Sequence, residues 1–405
     1  MTLSKPLRIL MLVSSYPRTR EDTASTFLRY LAESLTRRGH RVHVLAPADK
    51  QGGTFLEEEV TTHRFRYFLP RLQQLAYGSG ILSNLRHKPW LWIQVPFFLI
   101  SMTFSLLALI RKERPDLIHA HWVLPQGLVA VFAKRFFKIA VLTTAHGGDA
   151  FVFRGKLIGW LKRLVLARSN AWTSNTRATS DAFGPTAFLP TPCIIPMGVD
   201  VDQFSSGERT TLRRRLSENE TVVLFVGRLV EKKGGHDLLK AFSLLPPELR
   251  ARTTLWVVGD GAYYTKLHQY AEDLGITNKV YFWGGESNQS LPKFYAAADL
   301  FVAPSIEAEG GDTEGQGVVL LEAFAARLCV VATRVGGISE VVADGRTGLL
   351  VEPHNPTELA AAMERLLRNP TLRVRLAENA FAKVREDYSW QTIAADFEAL
   401  YRKII

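Results

Sequence analysis

Residues 222–239 read VVLFVGRLVEKKGGHDLL: an unbroken apolar run that stops at a glycine, passes through a basic turn with two further glycines, and resumes with helical spacing. That order predicts a buried strand, a tight turn at Gly227 and a helix opening near Gly235. In an open parallel sheet such a turn stands at the carboxyl edge of the strands, where ligands bind. Arg228 and Lys233 are therefore expected at a helix N-terminus, adding fixed charge to backbone N–H groups already aimed at anions. A diphosphate is the anion that two such cations suit, and Gly227 lets the backbone approach it.

The same beat extends in both directions. Downstream, TLWVVG, KVYFWG, LFVAPS, CVVAT and TGLLVE each end near a turn residue and mostly alternate with helical patterns. Upstream, the strand RILMLVS, the helix FLRYLAESLTRRG stopped by Gly39, and the strand RVHVLAP make a βαβ unit, which DLIHAHW, AVLTTAH and CIIPMG continue. Such alternation implies parallel sheets with helices on both faces. The rhythm pauses over residues 196–220, a stretch with Pro, Gly, Asp and Ser, so a linker is expected there. The predicted fold class is α/β, with two Rossmann-like doubly wound domains facing across a cleft. Their expected spans are 1–195 and 221–386, followed by a terminal segment, 387–405.

Length supports this division, because 405 residues are many for one core. With 47% apolar and 22% charged residues, global disorder is excluded. Cys193 and Cys329 lack zinc-ligand spacing and cannot make a disulfide framework, which fits a reducing cytosol. The opening MTLSKPLRILMLVSS reads as a first strand rather than a signal peptide. Charge is uneven: residues 1–200 carry 26 Lys+Arg against 12 Asp+Glu, or +14, and residues 201–405 carry 24 against 27, or −3. The asymmetry points to an anionic partner for the first half, a phospholipid surface or a lipid-linked phosphate, with a merely solvated basic surface as the plainer alternative. Nucleic acid is not expected as a partner, since the basic residues are scattered and no DNA or RNA module accompanies them.

Residues 89–110, PWLWIQVPFFLISMTFSLLALI, are uncharged over a length that suits a bilayer span. A span is not expected, because the residues on either side supply strands to one sheet. Pro96 is expected to divide the stretch and leave FFLISMTFSLLALI as a helix buried on that sheet. The preceding RFRYFLPRLQQLAYGSG mixes Arg with aromatics, as a segment lying in a lipid interface does.

Residues 314–325, EGQGVVLLEAFA, set Glu314 and Glu322 around a helix start that follows Gly310, Gly311 and Gly315. Ionised carboxylates only accept hydrogen bonds, so sugar and ribose hydroxyls are natural partners. The pairing reads as a sugar-nucleotide site, and Gly315, Gln316, Gly317 and Val318 are expected to line the same donor. Neither acid has an evident neighbour in sequence that would raise its pKa, so a general acid–base pair is not predicted. His146 and Asp149, in TTAHGGDAF, follow a strand and are flanked by glycines that let the backbone bend towards a ligand. They are read as contacts to the donor sugar or the acceptor, with His121 as a further acceptor-side contact. His119 and His121 share a strand face but lack a third ligand, so no metal site is read there. Gly259-Asp260-Gly261 lacks the third glycine of a dinucleotide fingerprint.

Taken together, RGHRVHVLAP, IHAHWVLPQG, TAHGGDAF, IPMGVDVDQF, FVGRLVEKKG, VVGDGAYY, APSIEAEGGDTEGQGVVLLEAFA, GGISEVVADGRTGLLVEP and the final YSWQTIAADFEALYRKII resemble the retaining glycosyltransferases of family 4, which have the GT-B fold. The resemblance implies transfer of a hexosyl group from a nucleotide diphosphate sugar to a glycan hydroxyl, with the anomeric configuration kept. It implies Arg228 and Lys233 on the diphosphate, Glu322 on the ribose, Glu314 and the loop before it on the sugar, and His146 beside the sugar. It also implies no metal, no cofactor apart from the donor substrate, and a last helix that crosses back to the first domain. Asp200-Val201-Asp202 imitates the Asp-x-Asp of a different, metal-using class of sugar transferase and is read as a chance match. Some positions depart from the pattern: YPRTREDTAST stands where the family has a glycine-rich turn, and Arg327, Cys329 and Ser339 stand where it often has Gly, Pro and Pro. The long form of residues 64–125 resembles polysaccharide-biosynthesis members. A lipid-linked acceptor, and a cytoplasmic protein held peripherally on anionic lipid at the inner membrane face, follow as expectations. A nucleotide-sugar epimerase of the same fold and a non-catalytic nucleotide-sugar-binding protein remain the alternatives.

Overall fold

The structure is a computed structural model describing residues 5–405 apart from 20, 21, 23, 24, 50, 51, 79, 152–154, 185–188 and 214–219. The chain forms two compact units, one of Met1–Pro196 with Trp390–Ile405 and the other of Met197–Ser389. Part of YPRTREDTAST lies outside the described residues.

The sheet of the first unit contains β1 (Arg8–Leu12), β2 (Arg41–Pro47), β3 (Gly53–Glu57), β4 (Val60–Phe65), β5 (Leu117–His121), β6 (Ala140–Ala145), β7 (Ala171–Ser174) and β8 (Cys193–Ile194). Their order is β3-β4-β2-β1-β5-β6-β7-β8, and only the β3–β4 pair is antiparallel. β1, β5 and β6 are buried along nearly their whole length, as strands covered on both faces must be. β3, β4 and β7 are additions to the strands read from sequence. VTTHRF and AWTS carry hydroxyl, His or Arg side chains within short runs, which weakens the apolar signal that marks a buried strand.

Residues 89–113 form a 3-10 turn, Pro89–Ile93, that runs directly into one helix, Gln94–Glu113. Pro96 does not divide this helix. It sits in the first turn, where no intrahelical N–H bond is lost. The helix is long and apolar enough to cross a membrane. It nevertheless connects two strands of one sheet, β4 and β5, so a crossing would tear the sheet apart. Phe98, Met102, Leu106, Leu109 and Ile110 pack it against Leu10, Leu12, Ile118 and Val141. Its opposite face is apolar and exposed, where the sequence reading expected burial.

The last helix, Trp390–Ile404, packs within the first unit. Tyr30 stacks on Trp390, and the Tyr401 hydroxyl lies 2.8 Å from His119 Nδ1. Glu398 accepts from Arg38 at 2.7 Å and from Arg402 at 2.8 Å. Burial alone would raise the Glu398 pKa, but the two guanidiniums outweigh it and hold the carboxyl at about 2. A depressed carboxylate adds stability above its unfolded pKa of about 4.3 and loses it as pH falls through the folded value. Glu398→Gln is therefore expected to lower Tm at pH 7, with the gap to wild type closing as pH falls from about 4 towards 2. Equal melting temperatures at pH 7 would contradict this.

The second unit contains β9 (Thr221–Val226), β10 (Thr253–Val258), β11 (Val280–Gly284), β12 (Leu300–Ala303), β13 (Cys329–Thr333) and β14 (Leu349–Val351), in the order β11-β10-β9-β12-β13-β14 and all parallel. The chain winds outward from β9 through β11, then returns to the other side of β9 with β12. The point where strand order reverses therefore lies between β9 and β12, and the loops after these strands diverge to open a crevice. Much of the expected linker belongs to this unit. Helices Val201–Ser205 and Thr210–Arg213 occupy it, and Phe204 is buried edge-on against Tyr295 at 5.4 Å. Asp200 caps the first of these helices by accepting from the Gln203 N–H at 3.0 Å, which gives the Asp-x-Asp match a structural cause. Residues 214–219 lie outside the described residues.

Candidate active site

The loops after β9 and β12 are laced together at the point of strand reversal. After β9, Gly227 takes a φ of 159°, and the Lys233 side chain runs beside it at ordinary van der Waals distance. A turn at Glu231–Lys233 ends at Gly234 (φ 65°) and opens the helix Gly235–Ser243. A Cβ on Gly234 would stand 1.7 Å from the Pro304 carbonyl oxygen, so the β9 and β12 loops can approach only through a glycine. Along this seam the Ile306 N–H donates to the Lys232 carbonyl at 2.8 Å, and the Glu309 N–H donates to Glu231 Oε1 at 3.0 Å. Lys232 Nζ donates to Asp312 Oδ1 at 2.9 Å and to the Thr313 carbonyl at 3.1 Å.

The seam ends at the pair that matters most for chemistry, Lys233 Nζ and Glu314 Oε2, 2.5 Å apart. Both side chains are 14% exposed, enough to meet a ligand but too little for water to screen the pair fully. Burial would raise the Glu314 pKa, yet Lys233, with Lys232 and Arg228 further off, holds it below the ordinary value. Glu314 is thus an ionised acceptor and no proton donor. The backbone of Glu314 is fixed by a third loop: the Gly337 N–H donates to its carbonyl at 3.1 Å, and a Cβ on Gly336 would stand 2.0 Å from that oxygen. Arg228 is exposed beside this group.

Gly317 (φ 76°) then turns the chain into the helix Val318–Ala325, whose first N–H groups have no partner within the helix. Two helix N-termini therefore stand beside the crevice, each favouring an anion. Glu322 lies one turn in, and its Oε2 accepts from the Tyr295 hydroxyl at 2.6 Å. Burial raises its pKa to about 7, against the pull of Tyr295 and Lys233. A neighbour that shifts this acid was not evident in sequence, because Tyr295 arrives from another helix, Leu291–Ala297.

At the carboxyl edge of the first sheet, β5 and β6 bring three histidines together. The His119 and His121 rings are 3.9 Å apart, and His121 Nδ1 lies 3.4 Å from His146 Nε2. Burial lowers all three pKa values, His119 to about 3 and His146 to about 4, so the cluster is neutral at physiological pH. Asp149 accepts from the His146 N–H at 3.1 Å and the Val123 N–H at 3.2 Å, and Lys162 donates to its carbonyl. Burial raises its pKa to about 7.

Most of the expected site residues fall at these two edges. Gly227, Arg228, Lys233, Glu314, Gly315, Gly317, Val318 and Glu322 lie at the carboxyl edge of the second sheet, and His146 at that of the first. Three differ from expectation. The Gln316 amide accepts from the Met197 N–H at 2.7 Å and donates to the Met197 carbonyl at 3.1 Å, so its side chain anchors the chain instead of facing a donor. Asp149, 1% exposed, joins the β5 and β6 loops through its backbone donors and offers no free carboxylate. His121 is likewise 1% exposed, with its Nδ1 turned to His146. Lys232, Asp312, Gly336, Tyr295 and Lys162 were missed. GGISE and EGGDTE were visible as motifs, but no spacing rule pairs them with the β9 turn. Among the described residues, one group, His43, His63 and Glu113, brings three potential metal ligands within 4.8 Å. His43 Nδ1 and His63 Nε2 already face each other at 3.2 Å, and His43 lies in the first half of β2, away from the carboxyl edge.

Comparison with known proteins follows these two halves. Residues 24–203 match the family described as Glycosyltransferase Family 4, and residues 208–383 match Glycosyl transferases group 1. A D-inositol 3-phosphate glycosyltransferase from Actinosynnema mirum is 30% identical over 90% of this chain and 91% of its own. The GDP-mannose-dependent alpha-(1-6)-phosphatidylinositol monomannoside mannosyltransferase of Mycobacterium tuberculosis is 29% identical over 96% of each chain. Among solved structures, Anabaena Alr3699/HepE in complex with UDP and glucose superposes with a TM-score of 0.74 at 23% identity, covering 98% of this chain and 100% of that one.

Proposed function

We propose that this chain, which belongs to the family 4 glycosyltransferases and has their GT-B fold, moves a hexosyl group from a nucleotide diphosphate sugar to a hydroxyl of a lipid-linked glycan, with retention and without a metal ion. The chain is a glycosyltransferase and takes a nucleotide-sugar donor. The finer reading is carried by one observation: the Lys233–Glu314 pair at the point of strand reversal, with two helix N-termini beside it. In that reading Lys233 and Arg228 neutralise the departing diphosphate, helped by the helix dipoles and by backbone N–H groups of Gly315, Gly317 and Val318. Glu314 accepts from a sugar hydroxyl and Glu322 from the ribose, while neutral His146 is the first unit's candidate for a substrate contact.

Retention then needs no protein nucleophile. Glu314 is held by a lysine and Glu322 by a tyrosine, so neither carboxylate is poised to attack carbon. The acceptor hydroxyl approaches the face that the diphosphate leaves. The bond to the phosphate oxygen breaks, the glycosidic bond forms on the same face, and the hydroxyl proton passes to the departing oxygen. Charge stabilisation and positioning are what such a path asks of the chain. Because cations of the chain meet the diphosphate charge, transfer is expected to be unchanged in EDTA; loss restored by added Mg²⁺ or Mn²⁺ would contradict metal independence. NMR of the product should show the donor's anomeric configuration, and the opposite anomer would sink retention.

The basic first half and the two relatives, whose names place phosphatidylinositol monomannoside and D-inositol 3-phosphate as substrates, support an acceptor that carries phosphate, here lipid-linked. A cytoplasmic protein at the inner membrane face fits that acceptor. An epimerase or a silent binding protein is not favoured by these relatives.

Glu322 supplies a pH test. Its carboxyl, raised to about 7, ionises across the neutral range, and the ionised form is the stronger acceptor for the ribose hydroxyls. Nucleoside diphosphate affinity is expected to strengthen from pH 6 to pH 8 by up to about tenfold more in wild type than in Glu322→Gln. The variant cancels the titration of the phosphate itself, so parallel curves would remove Glu322 from the ribose.

A further inference from the structure

We propose that the exposed face of the helix Gln94–Glu113 and the turn before it docks on the surface of an anionic lipid bilayer. The inference takes its purpose from the lipid-linked acceptor proposed above. Its physical basis is separate.

A helix on a sheet normally has one apolar face. This one has two. Leu91, Phe98, Met102, Leu106 and Leu109 face the core, all 8% exposed or less. Trp90, Ile93, Phe97, Ile100 and Phe104 recur every three or four residues on the other side, 48–69% exposed, with Trp92 at 58% beside them. That spacing makes a continuous stripe rather than scattered apolar residues, and a contiguous patch of this kind marks an interaction surface. The segment before it widens the patch. The Ser101 hydroxyl donates to the Arg66 carbonyl at 2.5 Å, Phe68 meets Phe97 edge-on at 5.5 Å, and Gln94 donates to the Leu72 carbonyl at 2.7 Å. Leu69 and Leu72 are exposed alongside.

Charge selects the partner. Residues 60–112 contain no Asp or Glu, while Arg66, Arg71, Arg86 and Lys88 are exposed within them. Aromatic and apolar side chains bordered by Arg and Lys match a headgroup layer, where the rings sit at the boundary and the cations meet phosphate. A second copy of the chain would set one basic rim against another, which like-charge repulsion opposes.

Topology says what docking would achieve. The helix returns the chain from the carboxyl end of β4 to the start of β5, so it runs antiparallel to these strands. The aromatic turn that precedes it, with Trp90 and Trp92, therefore lies towards the sheet edge that carries His121 and His146. A docked face brings this edge to the lipid surface, where a lipid-linked acceptor resides.

The test is sedimentation with vesicles of phosphatidylcholine alone and of equal parts phosphatidylcholine and phosphatidylglycerol, in low and high salt. Wild type is expected to bind the anionic vesicles, less so in high salt, with a blue shift of tryptophan emission. Arg71→Glu/Arg86→Glu/Lys88→Glu should weaken binding about fivefold per residue or more. Trp90→Gln/Trp92→Gln/Phe97→Gln should weaken it about tenfold or more. All six side chains are exposed, so unchanged melting curves are expected to certify both variants as folded. No binding by wild type, full binding by both variants, or a wild-type dimer abolished by the tryptophan variant would overturn the proposal. Sugar transfer into lipid extract, measured in parallel, separates the two readings. Transfer without vesicle binding defeats docking and spares the acceptor; binding with transfer only to a water-soluble acceptor defeats the acceptor and spares docking.

Discussion

Lys233→Ala is expected to slow transfer by ~10²-fold or more, the scale on which loss of a preorganised transition-state donor is felt. Two effects add. On the proposed mechanism the substitution removes a cation that meets charge developing on the leaving diphosphate, and it strips Glu314 of the partner at 2.5 Å that keeps its carboxylate ionised. A partly buried, unpaired carboxylate beside an incoming diphosphate repels it, so affinity for the free nucleoside diphosphate should fall as well. The double variant Lys233→Ala/Glu314→Gln separates the two. It should recover nucleotide binding while leaving turnover low, because the repulsion is gone and the cation still missing. Turnover near wild type in Lys233→Ala would remove this lysine from catalysis.

Glu314→Ala is expected to behave differently, with transfer lost by ~10²-fold and nucleoside diphosphate binding kept or tightened. In the free protein Glu314 competes with any diphosphate for Lys233. Removing it releases that cation to the ligand, while the sugar loses its hydrogen-bond acceptor. Calorimetry with the nucleoside diphosphate alone, beside a transfer assay, reads both. If binding and transfer fall together, Glu314 is a scaffold for the loop and not a contact to the sugar.

The second unit was legible in sequence because its strands are apolar runs that end at turn residues and its loops are rich in glycine. The turn of residues 227–234 and the helix start at Gly317 stand where those runs place them. In the first unit, β4 and β7 were missed, since Thr62 and His63 in one and Thr173 and Ser174 in the other are polar yet buried in the sheet. In sequence FFLISMTFSLLALI reads as a helix buried on the sheet, and its exposed face does not show, because a segment without charge has no polar face to reveal which side meets solvent. Gln316 and Asp149 stood in motifs that suggested ligand contact, but what each side chain touches is set by Met197 and by the loop after β5. Those contacts join segments far apart in the chain, which spacing cannot foretell. The raised pKa of Glu322 escaped for the same reason, since the burial that raises it, against the Tyr295 hydrogen bond, exists only in the folded unit.

Nucleotide diphosphate release from a panel of UDP-, GDP- and ADP-sugars, with and without membrane lipid extract, tests the central claim most directly. The account predicts release from the sugars of one nucleotide, strongly increased by the extract, with the sugar recovered in the lipid fraction. Donor isomerisation without extract, or tight nucleotide-sugar binding with no release under any condition, would contradict it.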